Sequence, residues 1–160
     1  MILLLLAAAG LVQLLHSYPL LPERMASHFD GSGQPNGFQS KREFAALSAS
    51  ILVLTVVLCG GMGALLRRIP SKWFNLPNRD YWLSPERREE TIEAVSIQME
   101  WFGAASLGLY LYIIQMVVEA NRTCAPNLDS RSVFVVLGIY LLFTGIWLVR
   151  FIQRFRQPGS

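Results

Sequence analysis

From Phe44 to Leu66 the chain carries no charged side chain. A helix over that run would be about 34 Å long, enough to cross a hydrocarbon core of about 30 Å. Three more runs behave alike: Met1 to Tyr18, Trp101 to Val118, and Ser132 to Val149. Charged residues make up 16% of the chain and mean hydropathy is +0.37, against roughly 25% charged in soluble domains. The charges crowd between the four apolar runs. This patterning predicts an all-α integral membrane protein of four transmembrane helices. The first run lacks a basic leader region and a small-x-small cleavage site, so it reads as a membrane helix rather than a signal peptide. The absence of Lys or Arg ahead of it is compatible with a natural start upstream.

The boundaries follow from local chemistry. Arg67-Arg68-Ile69-Pro70 ends the second helix, with two cations at its C-terminal dipole and a proline that cannot continue it. Ser84-Pro85-Glu86 reads as an N-cap, a first-turn proline and an acidic first turn. From there a single long third helix is expected over Pro85 to Glu119, its polar first half protruding into the cytoplasm, with an Arg87–Glu90 pair on its surface. The fourth helix is expected to close at Arg150, Arg154 and Arg156. Gly60 with Ala64 and Cys59 with Gly63 form small-residue pairs that would admit a close neighbour, and no paired Gly/Pro break interrupts any helix. The chain divides into 1–66, 67–96 and 97–160. Cys59 in an apolar run and Cys124 in a short loop suggest no disulfide scaffold.

Topology is read from cations. One side of the membrane would carry Arg67, Arg68, Lys72, Arg79, Arg87, Arg88, Arg150, Arg154 and Arg156. The other would carry Arg24, Lys41, Arg42, Arg122 and Arg131. The excess places both termini and the central loop in the cytoplasm of a bacterial inner membrane. Leu21 to Lys41 then faces outward as an ordered extracytoplasmic loop. It mixes aromatics, a histidine and charges with turn residues, and its candidate binding residues are Pro22, Glu23, His28, Phe29, Asp30, Gly33, Pro35, Gly37, Phe38 and Lys41. Gly31, Gly33 and Gly37 are read as positive-φ turn positions, since no lysine and helix follow to make a phosphate cradle.

Leu21-Pro22-Glu23-Arg24, His28-Phe29, Gly33-Gln34-Pro35-Asn36-Gly37-Phe38 and Ser40-Lys41, following a first apolar helix, resemble the signature of the bacterial domain-of-unknown-function 1648 (DUF1648) family. Asn75 to Arg88 resembles a second block in short members, with Asn75, Pro77, Asn78, Tyr81 and Trp82 as its marked residues. The chain is also distantly similar to the Sdp immunity proteins, which protect a sporulating bacterium from a secreted peptide toxin and signal its presence. It is expected to lack their additional C-terminal membrane module. The resemblance implies no general activity.

Glu23, His28 and Asp30 are metal-ligand types, but their spacing matches no metal motif, so hydrogen bonding and capping are the competing reading. His16 with Gln13, and Glu100 beside Trp101, are candidate intramembrane polar residues; the alternative is helix-end or headgroup placement. No catalytic set is present, so no enzyme, cofactor or metal is expected. The favoured expectation is a non-enzymatic protein whose outer loop meets an extracytoplasmic peptide or another membrane protein in an immunity- or signalling-like way. Membrane lipid is the other expected partner, a homo-oligomer is left open, and nucleic acid is not expected. The competing class is a small transporter or proton-coupled component using His16 and Glu100.

Overall fold

The computed structural model describes residues 1–123 and 125–156. In chain order they form α1 (Ile2–Ser17), β1 (Arg24–Phe29), β2 (Pro35–Ser40), α2 (Lys41–Thr55), α3 (Met62–Arg68), α4 (Arg79–Trp82), α5 (Arg88–Ala120) and α6 (Ser130–Arg156). Four helical stretches are long and apolar enough to cross a membrane: Ile2–Leu20, Lys41–Gly60, Arg88–Ala120 and Ser130–Arg156. The helical expectation holds for the bundle. The Leu21–Lys41 loop instead folds as an antiparallel two-stranded hairpin, because its Asp30 to Gly33 stretch supplies a reversal between two extended runs. Cys59 is free and half-buried; Cys124 lies outside the described residues.

Helix α5 is the axis of the bundle. On α1, Leu3, Ala7, Gly10, Leu14 and Ser17 are buried, a spacing that keeps one narrow seam turned to a neighbour. Gly10 lets that seam close, since a Cβ there would stand 2.6 Å from the Leu111 side chain and 2.9 Å from Leu52. Leu52, Leu107 and Ile114 complete the core. Helix α6 packs along α5 through Phe102–Tyr140 and Phe102–Trp147 ring contacts at 6.4 and 4.9 Å. Ser106 Oγ and the Tyr140 hydroxyl add a 2.8 Å hydrogen bond. Its other faces are exposed apolar surface, including Ile139, Leu142 and Val149, as a lipid-facing helix requires.

The second helix departs from expectation in two ways. It begins at Lys41 rather than Phe44, because Ser40 and Glu43 form a capping box that satisfies orphan amides reciprocally. It is also interrupted: Val56–Gly60 widens into a π turn and the chain restarts as α3 after Gly61. Adjacent glycines tolerate such a distortion. The Cys59–Gly63 pair does admit α5, where a Cβ on Gly103 would stand 2.6 Å from Cys59 Cβ, and one on Gly63 2.7 Å from Ser96 Oγ. Ala64 is exposed and takes no part.

The third long helix starts at Arg88, not Pro85. Ser84 serves as a turn acceptor, its carbonyl taking the Arg87 and Arg88 amides at 3.0 Å. Arg88 also donates to the carbonyls of Leu66 and Ile69 at 3.1 and 3.0 Å, so α5 begins where it is tied to the end of α3. Arg87 lies over the Tyr81 ring at 4.2 Å rather than pairing with Glu90, and Arg67 bridges Glu89 at 2.6 Å. The last helix continues past Arg150 through Arg156.

Gly103 and Gly108 separate close packing from mere helix content. Gly103→Leu, which must displace Cys59, is expected to lower stability by about 1–3 kcal/mol. Gly108→Leu meets open space and should be near neutral. Reversible SDS unfolding of the micelle-solubilised protein measures both.

Candidate functional site

The hairpin is built around Asp30. Its carboxylate accepts from the Ser32 amide at 2.9 Å, the Ser32 hydroxyl at 2.7 Å and the Gln34 amide at 3.0 Å. These bonds hold the carboxyl below its ordinary pKa, the Ser32 hydroxyl contributing most. Gly33 is the one glycine of the three with positive φ, at +83°. It also lets the turn dock on the α5–α6 connection: the Leu128 amide donates to the Gly33 carbonyl at 3.0 Å, and a Cβ on Gly33 would collide with the Leu128 carbonyl. Gly37 serves differently, making room for His28, whose Cβ would lie 2.9 Å from an added Cβ.

Other predicted loop residues pair off locally. Glu23 bridges Lys41 at 2.8 Å, which lowers the Glu23 pKa, and Lys41 also lies over the Tyr18 ring at 5.1 Å. Phe29 stands opposite Pro35 and packs on the core. Glu23, His28 and Asp30 therefore face different partners, and among the described residues no three His, Cys, Asp or Glu side chains converge. An ion pair engages Glu23 and turn hydrogen bonds engage Asp30.

The hairpin is fixed to the bundle by a residue that was not singled out in the sequence. Asn121, just past α5, accepts the Ala26 amide at 2.8 Å and donates to the Ala26 and Val117 carbonyls, each at 2.8 Å. All of this is buried: Asn121 is 5% exposed and Met25 and Ala26 0%. Removing the amide side chain would leave two buried backbone groups unpaired, at about 1–3 kcal/mol each. A bulge follows between Ala26 and His28, just past this anchor.

Beside this clasp lies an open cleft of about 450 Å³. Its walls are Leu20, Leu21, Pro22, Phe38 and Pro126; Arg24, Arg122 and Thr123 rim it, over Ala26 and Asn121. Only Pro22 and Phe38 of these were predicted. Arg24 lies over the Phe38 ring at 5.2 Å. Arg122 contacts Glu119 at 3.2 Å, and a polar chain continues inward, Gln115 donating to Glu119 at 2.8 Å and Gln13 to Gln115 at 2.9 Å.

The two candidate intramembrane polar residues, His16 and Glu100, lie at different levels of the bundle. Gln13 also reaches the Leu111 carbonyl, so His16 lies beyond that level toward the hairpin, exposed. Glu100 lies on the far side of it, lower by about 17 Å of helix. The second block is a separate structure at the opposite pole. Asn78, at φ 52°, donates to the carbonyls of Phe155 and Arg156 at 3.2 and 3.0 Å. The Trp82 indole donates to Phe155 at 2.9 Å, and Tyr81 packs edge-on against Trp82 at 5.0 Å. These residues cap α6; Asn75 and Pro77 are exposed.

A depressed carboxyl pKa adds stability that is present above the unfolded value and lost as pH falls through the folded one. Protection of the Ser32 and Gln34 amides against exchange should therefore persist through the ordinary aspartate range and fall only below it. In Asp30→Asn the fall should vanish, as amide NMR would record.

The model described as Domain of unknown function (DUF1648) matches residues 3–59. No curated protein and no solved structure matches the chain. The matched stretch holds α1, the hairpin and α2, and ends within the π turn; the Asn75–Arg88 block lies outside it.

Proposed function

We propose that this chain is a non-enzymatic multi-pass protein of the bacterial inner membrane, whose hairpin face binds an extracytoplasmic peptide or partner in an immunity- or signalling-like way. The observation that carries this reading is the Asn121 clasp beside an open cleft. A hairpin that served only to connect two helices would need neither a buried three-bond anchor nor an adjoining concave surface with two guanidinium groups. The cation excess at the other pole supports a topology with the hairpin outside and both termini and the start of α5 in the cytoplasm.

A second reading, a small transporter or proton-coupled component, draws on the interruption of the second helix at Val56–Gly61, since discontinuous helices line many transport sites. It is the weaker one, because His16 and Glu100 lie apart.

Deleting Asp30 to Phe38 should abolish partner crosslinking or toxin protection while membrane insertion persists. Intact-like behaviour of that variant would contradict the binding reading. Substrate-dependent flux in proteoliposomes that is lost in Glu100→Gln would favour the transporter.

A further inference from the structure

The cleft beside the hairpin has three properties that a mere surface dent would not combine. The first is cationic charge. Arg24 has no acidic partner among the described residues and leans on Phe38 instead. Among the described residues Arg122 pairs with Glu119 alone, in a pair exposed on both sides, 53% and 46%, and such a pair is weak and readily exchanged. The second property is apolar walling by Pro22, Phe38 and Pro126, which offers an apolar side chain a surface beside the charge-assisted bonds available at the rim.

The third is a sheet edge. Ala26 turns its amide and carbonyl away from β2, toward Asn121. The Glu23 carbonyl points the other way, accepting the Lys41 amide at 3.1 Å. Strand alternation therefore turns the Arg24 amide and carbonyl to the same outward edge as those of Ala26. Asn121 fills the Ala26 rung, and no residue outside the hairpin, among those described, bonds to the Arg24 rung. An unfilled rung pairs with an extended backbone by strand addition.

Resting on the reading that this face binds a peptide, we propose that the cleft receives the C-terminal end of an extended peptide. Its terminal carboxylate lies between Arg24 and Arg122, its last side chain is apolar, and its backbone pairs with the Arg24 rung. A guanidinium presents paired donors that match the planar carboxylate. The sheet edge is what favours a peptide over a lipid phosphate, which would use the cations but not the rung. On binding, Arg122 exchanges the Glu119 carboxylate for that of the ligand.

The test uses the full chain in neutral-lipid nanodiscs and two pools of randomised octapeptides, one ending in a free carboxylate and one in an amide, with retained peptides counted by mass spectrometry. The free-acid pool should be retained on the order of tenfold more, enriched in apolar last residues. Arg24→Gln with Arg122→Gln should erase that difference while amide-pool retention stays the same. Equal retention of the two pools by the intact protein overturns the carboxylate site and leaves peptide binding standing. Retention of neither pool, with short-chain phosphatidylglycerol binding lost in the double variant, overturns it in favour of a lipid headgroup site. Retention of neither pool together with an unaffected hairpin-deletion phenotype overturns the peptide reading as a whole.

Discussion

The hairpin sits where it does because one amide side chain imitates a strand. Two short strands are marginal by themselves in water, and among the described residues no further strand joins this pair. Asn121 supplies the missing rung, giving the Ala26 backbone both a donor and an acceptor while the Val117 carbonyl takes its remaining proton. Because Asn121 directly follows the most deeply packed helix, the hairpin inherits the rigidity of the bundle. The Gly33–Leu128 contact and the Lys41–Glu23 bridge fasten the other two corners. The cleft opens beside the first of these attachments, with Ala26 and Asn121 in its lining.

The two poles of the bundle are built differently. At the hairpin pole, Arg24, Lys41, Arg42, Arg122 and Arg131 are balanced by Glu23, Asp30, Glu43, Glu119 and Asp129. At the other pole cations are in excess, and several are spent on structure: Arg67 on Glu89, Arg88 on the carbonyls ending α3, Arg87 on a tyrosine ring. The same pole holds α6, whose terminal carbonyls are capped by Asn78 and Trp82. Helix α6 otherwise depends on an aromatic ladder with α5, so without that cap it would be attached along a single seam.

Much of this was legible. Charge-free runs gave the four helices, and the Pro-, Gly- and His-bearing motif pointed to the family model that matches residues 3–59. Small-residue spacing located the Cys59–Gly63 approach. The Ser40–Glu43 capping box was written in the sequence as a Ser-x-x-Glu and was available to set the helix start. Other features were invisible for physical reasons. Asn121 looks like any helix-terminating asparagine until its partner, distant in sequence, is placed beside it. The start of α5 was decided by tertiary bonds from Arg88 and by the Ser84 turn, which overrode a sound local N-cap signal. Arg24 and Arg122 read as scattered loop cations; only the folded hairpin brings them to one rim.

The dependence of the hairpin on Asn121 is open to one direct measurement: amide exchange across β1 and β2 in Asn121→Ala against the intact protein. Loss of the clasp should speed exchange at Met25, Ala26 and their β2 partners by on the order of thirtyfold or more, the size expected for orphaned buried groups. Amides at the α1–α5 seam should keep their protection. Unchanged hairpin exchange, or an equal loss throughout the bundle, would contradict a hairpin mounted through this one side chain.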